Sequence, residues 1–172
     1  LGNRTAFDRY VQRLWENRMP CTVAFIDMDE LKACNDHAGH GEGDHYIQLV
    51  ASLLESLCLE NEHIFRIGGD EFVIISTWAT EHDLEQRLRD ARADFVEDMA
   101  KKVDYHCGFS YGCTHINEVT PDAYNNLLNN ADQRMYQYKI HQKQLRDEQH
   151  KSLQTTDVFA ANYGLESRLF DA

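Results

Sequence analysis

Ile64-Phe65-Arg66-Ile67-Gly68-Gly69-Asp70-Glu71-Phe72-Val73-Ile74-Ile75, residues 64–75, sets two apolar, β-prone runs on either side of a Gly-Gly-Asp-Glu centre. Glycines between strand-like runs signal a tight hairpin, because such turns need positive φ and glycine adopts it without steric cost. The hairpin would present Asp70 and Glu71 at an exposed tip held by two buried strands. Adjacent carboxylates repel and cost stability; their use is as hard-oxygen ligands for Mg²⁺ or as a general base. Gly68 and Gly69 also leave room for a substrate to come close to the backbone.

Working outward, the 172 residues suit one domain of ordinary size, and 42% hydrophobic residues suffice for a core. A charged fraction of 27% with only two prolines argues against disorder. No apolar run approaches the length that spans a bilayer, so no direct membrane contact is expected from this segment. Leu1 is not an initiator methionine, so the chain is expected to be cut from a longer protein. The net charge of −12 disfavours nucleic acid as a partner. It leaves room for a nucleotide, provided a metal brings positive charge locally. The cysteines Cys21, Cys34, Cys58, Cys107 and Cys113 form no Cys-x-x-Cys pair, so buried thiols in a reducing cytosol are expected. His106, Cys107, Cys113 and His115 lie in a segment that alternates like a strand, which scatters them over two faces and argues against a metal there.

Residues 5–17 carry Phe7, Tyr10, Val11 and Leu14 at helical spacing. Residues 21–26 form a short apolar run, read as a buried strand. A helical turn over 29–36, a glycine-containing loop over 37–43 and a helix with Tyr46, Ile47, Leu49, Val50, Leu53, Leu54 and Leu57 on a broad apolar face follow. After the hairpin come a charged helix over 81–101, a strand over 105–113 and a helix opened by Thr120-Pro121 that carries Tyr124, Leu127, Ala131 and Met135. Gln144–Gln154 reads as an outward continuation of that helix. Thr155–Ala172, with Val158, Phe159, Tyr163, Leu165, Leu169 and Phe170, either packs on the domain or leads to another. The order describes an α/β or α+β domain with helices packed on a central sheet.

Asp27 sits where the strand over 21–26 runs out, and strand ends are where such folds gather reactive groups. If that strand lies beside the hairpin, Asp27, Asp70 and Glu71 form one carboxylate cluster. Such a cluster needs a cation, and Mg²⁺ takes one or two carboxylates plus phosphates. Asp27-x-Asp29 also resembles the start of a calcium loop. That loop needs Gly and Glu where Lys32 and Ala38 stand, so it is discarded. A helix N-cap is the structural alternative for Asp27, and the more convincing reading for Asp29.

Gly68-Gly69-Asp70-Glu71-Phe72, with Arg66 before it, resembles the signature of the GGDEF family, the diguanylate cyclases. The segment Asp27-Met28-Asp29-Glu30-Leu31-Lys32-Ala33-Cys34-Asn35-Asp36, the Gly39-His40 pair and Gly43-Asp44 are similar to the family's upstream pattern. Asn130-Ala131-Asp132-Gln133-Arg134-Met135-Tyr136-Gln137-Tyr138-Lys139 resembles its late helix, and Leu1–Phe7 its opening. Together these cover residues 1–143, leaving 144–172 as a helical extension or linker. The resemblance implies a central, mostly antiparallel sheet of about five strands flanked by helices, the nucleotidyl cyclase/palm (ferredoxin-like) fold.

It also implies roles. Asp27, the Met28 carbonyl, Asp70 and Glu71 would hold Mg²⁺ (or Mn²⁺) against GTP. Asp70 would serve as base for the 3′-hydroxyl, with Glu71 beside it, and Lys32 would stabilise the transition state. Asn35 and Asp44 would read guanine, whose N1–H and exocyclic N–H suit a carboxylate; a site built on such bonds rejects analogues lacking them by about 10⁴-fold. Lys139 and Lys143 would take phosphates, with Leu31, Gly68 and Gly69 lining the substrate. His40 is a nucleotide contact or a loop-ordering hydrogen bond. The product would be cyclic di-GMP, made by two copies facing each other in a bacterial cytosol under attached sensory or output domains.

Two departures stand out. The family's inhibitory Arg-x-x-Asp is absent at Leu59-Glu60-Asn61-Glu62, so no product feedback is expected through it. Position 143 is Lys where Arg is commoner, which keeps the charge but loses the bidentate fork. The alternatives are a catalytically silent GTP-binding regulatory module and a cyclase making a mixed cyclic dinucleotide.

Overall fold

The computed structural model describes residues 1–117 and 120–162. The readings on Tyr163, Leu165, Leu169 and Phe170 lie outside the described residues, as do those on the side chains of Tyr124, Val158 and Phe159. The elements run β1 (Gly2–Asn3), α1 (Arg4–Glu16), β2 (Cys21–Met28), α2 (Leu31–Ala38), α3 (His40–Leu57), β3 (Glu62–Arg66), β4 (Glu71–Ser76), α4 (Glu81–Ala100), β5 (Phe109–Ile116) and α5 (Pro121–Asn162). The chain divides into two compact units, Leu1–Lys139 and Ile140–Ala172. All strands among the described residues belong to the first unit, and the described part of the second is the continuation of α5.

The five strands form one sheet in the order β1-β3-β4-β2-β5. Only β1 runs parallel to its neighbour; β3, β4, β2 and β5 are antiparallel. Successive strand side chains point to opposite faces, which splits the core in two. Ala24, Ile26, Phe72 and Ile74 pack with Tyr46, Val50, Leu54, Leu84 and Leu88 of α3 and α4. Val23, Val73 and Ile75 pack with Phe7, Val11 and Leu14 of α1 and Leu127 of α5. The hairpin strands are covered on both faces, as continuous apolar runs require.

Several boundaries differ from the sequence reading. β2 runs to Met28, because β4 pairs with it as far as Asp27 and β5 as far as Met28, so Asp27 is a ladder residue and not a helix N-cap. The loop expected over 37–43 shrinks to Gly39, whose φ of 88° separates α2 from α3; its amide still closes α2 by donating to the Asn35 carbonyl at 2.9 Å. β5 starts at Phe109 rather than at 105, placing His106 and Cys107 before the strand. Thr120 does cap α5, its hydroxyl accepting from the Ala123 amide at 3.1 Å. Cys21, Cys34, Cys107 and Cys113 are buried and Cys58 half-buried, with burial pushing the Cys113 thiol up to about 12.

Candidate active site

The β3–β4 connection is a four-residue loop, 67–70, and neither Gly68 nor Gly69 has positive φ, contrary to the tight turn expected. The loop is closed otherwise. The Ile67 amide donates to the Glu71 carbonyl at 3.0 Å, and Arg66 Nη2 donates to the Gly69 carbonyl at 2.7 Å. Gly68 lies under the Glu71 side chain: a Cβ there would stand 2.3 Å from Glu71 Oε2 and make that side chain turn away. Asp70 and Glu71 are half-buried rather than exposed at a tip.

The sheet register brings the carboxylates together. Asp27 is directly opposite Glu71 on β4 and Ser110 on β5, and the Met28 amide donates to the Asp70 carbonyl at 3.0 Å. Burial pushes the Asp27 carboxyl up, a rise that the Lys139 ammonium partly offsets and Asp70 and Asp29 add to. Burial likewise pushes up Glu71, helped by the charges of Asp70, Asp27 and Asp132. The carboxylates therefore repel one another, although among the described residues no three His, Cys, Asp or Glu side chains converge as a metal cage. A cation does sit here: Lys139 Nζ donates to Asp27 Oδ1 and, at 3.5 Å, to the Met28 carbonyl. A carboxylate and a carbonyl that already share one cation are a hard-oxygen donor set that fits a divalent ion.

α5 delivers Lys139 by crossing β5 at very short range. A Cβ on Gly112 would stand 2.3 Å from both the Ala131 carbonyl oxygen and the Met135 nitrogen. One turn on, Tyr138 packs on Tyr111, ring centres 4.7 Å apart. Lys143 lies on α5 in the second unit and is exposed.

α2 and α3 carry the residues expected to read the base. Asn35 is half-buried on α2, its Oδ1 buried without a hydrogen-bond partner and pressed against Gly43 of α3. Asp44 and His40 are exposed on α3, and Lys32 is exposed on the first turn of α2. Leu31 packs against the core on the α3–α4 side of the sheet. Glu30, the N-cap of α2, holds φ 55° and offers no side-chain cap.

Sequence reasoning missed what holds this end of β2. Asp29 is 1% exposed and is no N-cap. It accepts from Ser110 Oγ at 2.7 Å and from Arg92 Nη2 at 3.4 Å, with His106 Nε2 also at 3.4 Å. Burial alone would push its carboxyl up; the hydrogen bonds from His106 and Ser110 and the Arg92 charge prevail and hold it below the usual range. Arg92 also donates through Nε to the Phe109 carbonyl at 2.7 Å and lies 5.5 Å over the Tyr138 ring. The signal was available: Arg92 is a lone cation in the apolar stripe of α4, between Leu88 and Met99.

Known proteins share this fold. The solved coiled coil and GGDEF domain of DgcB from Caulobacter crescentus, in complex with c-di-GMP, matches with a TM-score of 0.69 at 25% identity, covering 79% of this chain and 75% of that one. Its palm-like cyclase fold is the five-stranded, helix-flanked architecture described above. Diguanylate cyclase DgcP of Escherichia coli (strain K12) is 37% identical over 123 residues, 70% of this chain and 36% of that protein. Diguanylate cyclase VdcA of Vibrio cholerae is 30% identical over 150 residues, 81% of this chain and 42% of that protein. The chain thus spans less than half the length of these curated relatives. The family pattern "Diguanylate cyclase, GGDEF domain" matches residues 1–145, and the chain belongs to that family.

Proposed function

We propose that this domain is a diguanylate cyclase, condensing two GTP into cyclic di-GMP and two pyrophosphates. The observation that carries the reading is the register that sets Asp27 opposite Glu71, beside Asp70, with the Lys139 ammonium against Asp27. Each domain holds one GTP, and two copies face each other for turnover. The Asp70 carboxylate accepts the proton of the 3′-hydroxyl. The 3′-oxygen bonds to the α-phosphorus of the GTP on the other copy, the α–β P–O bond breaks, and pyrophosphate leaves. Asp27, the Met28 carbonyl, Asp70 and Glu71 hold Mg²⁺ or Mn²⁺, which when bound neutralises phosphate charge and polarises the phosphorus.

Lys32, exposed at the start of α2, stabilises the charge that develops on the transferring phosphate, and Lys139 and Lys143 bind phosphate oxygens. Asn35 and Asp44 read guanine, the exposed Asp44 carboxylate accepting from its N1–H and exocyclic N–H. Residues 1–143 form the cyclase domain and 144–172 an extension towards another domain, in a cytoplasmic part of a longer protein. Among the described residues no helix is long and apolar enough to cross a membrane.

The test is incubation of zipper-dimerised protein with an equimolar GTP and ATP mixture and Mg²⁺, with the products separated and weighed by mass spectrometry. Cyclic di-GMP alone is expected. A GMP–AMP hybrid ring supports the mixed cyclase, and bound but intact GTP supports the silent module.

A further inference from the structure

The Lys139 ammonium contacts the same two oxygen groups, the Asp27 carboxylate and the Met28 carbonyl, that the proposed function gives to a divalent metal. The backbone that carries it is fixed. Tyr138, next to it on α5, is held between the Tyr111 ring and the Arg92 guanidinium, and α5 is seated on Gly112 without space for a methyl group. The ammonium is thus presented to Asp27 by the fold, with the Asp27 side chain 15% and the Lys139 side chain 36% exposed. A tethered cation and a free one compete for one set of lone pairs, and the tethered cation has no entry entropy to lose.

We infer that Lys139 is a built-in competitor of the divalent metal, which GTP releases by drawing the ammonium onto its phosphates, so that metal and nucleotide bind as a pair. The inference rests on the proposed assignment of Asp27 and Met28 to the metal. A lysine suits the part, because its ammonium is a mobile point charge on a flexible stem and can exchange a carboxylate for a phosphate. Around Asp27 and Glu71 the charges of Asp70, Asp29 and Asp132 are negative, and the positive charge of Arg4 acts more weakly. Without Lys139 these carboxylates keep only that weaker balance, which favours an added cation. Metal affinity in the absence of nucleotide should therefore rise when the lysine is removed, while coupling between metal and nucleotide should fall, as linkage requires of a shared competitor.

The test is Mn²⁺ binding followed by the EPR signal of the free ion, first with Mn²⁺ alone and then with a non-hydrolysable GTP analogue. Lys139→Met is expected to bind Mn²⁺ alone about tenfold more tightly than wild type, the factor that corresponds to losing an ion pair of about 1.4 kcal/mol. Lys139→Arg, which keeps the charge, should stay within about twofold of wild type. Lys32→Met removes an equal charge without this contact and should also stay within about twofold. The gain in Mn²⁺ affinity caused by the analogue should shrink in Lys139→Met. Unchanged or weaker Mn²⁺ binding by Lys139→Met overturns the inference, as does an equal gain in Lys32→Met. Thermal melts of each variant confirm that folded protein is compared. The nucleotide-free arm reads the competition alone, so a failure to turn over GTP would count against the proposed function and leave this result standing.

Discussion

Asp27 and Glu71 stand directly opposite each other across the β2–β4 ladder. Like charges in that relation are destabilising, and both carboxyls are pushed up by burial and by their acidic neighbours. Glu71→Gln removes one charge and keeps the shape. It is expected to raise stability, by up to about 1 kcal/mol, while lowering cyclic di-GMP formation at least about tenfold. Thermal melts and product assays check the two halves, and a fall in Tm would contradict the repulsion.

Arg92 ties the two sides of the site together, contacting Asp29 just beyond Met28 and Tyr138 just before Lys139. Arg92→Met leaves the buried Asp29 carboxylate short of its guanidinium and should cost about 3–5 kcal/mol. Adding Asp29→Asn should recover part of that loss, a coupling that a double-mutant cycle in urea would measure. Strictly additive effects would show that the pair does not act as a unit.

Gly112 is where α5 is seated. Gly112→Ala must push α5 off β5 and carry Lys139 with it, at a cost of about 1–3 kcal/mol. Gly41→Ala, in the open first turn of α3 with nothing within 4 Å of the new methyl, should instead gain up to about 1 kcal/mol. Equal effects at the two positions would refute the close seating.

Glu62 occupies the last position of the stretch where the inhibitory pattern is missing. Its carboxylate is bonded on both oxygens to Arg87, at 2.6 and 2.8 Å, and accepts from the Leu59 amide at 2.9 Å. Burial pushes this carboxyl up, but the Arg87 and Leu59 hydrogen bonds outweigh it and hold it low. A carboxyl lowered on folding stabilises above its unfolded value of about 4, and the gain is lost as pH falls through the folded value. The stability difference between wild type and Glu62→Gln, about 3 kcal/mol at neutral pH, should therefore shrink below about pH 4 in urea titrations. With Arg87 engaged by Glu62, excess cyclic di-GMP should leave the initial rate unchanged; inhibition that Arg87→Ala abolishes would contradict this.

The fold was legible where local chemistry and tertiary packing agree. The apolar runs at 21–26 and 72–75 and the helical stripes of Phe7, Val11 and Leu14 or Tyr46, Val50 and Leu54 say which faces are buried, and the structure buries them, with Phe25 half-buried. Boundaries were less legible, because a ladder partner decides where a strand stops: Asp27 and Met28 read as the end of a run until Ser110 and Phe109 pair with them. The glycines misled for a related reason. Gly68 and Gly69 suggested a turn of positive φ, whereas Gly68 is constrained by the Glu71 side chain folding back on it. The carboxylates and lysines were legible as residue types. Their support was not, since the contacts of Asp29 with Ser110 and of Tyr138 with Arg92 cross long stretches of sequence that carry no local pattern.

The most direct measurement is the stoichiometry of turnover by zipper-dimerised protein, following pyrophosphate release and cyclic di-GMP together in the wild type and in Asp70→Ala. Two pyrophosphates for each cyclic di-GMP, with the rate falling at least about 10³-fold in the variant, is the result expected. GTP bound but left intact by the wild type, or an unchanged rate in Asp70→Ala, would contradict it.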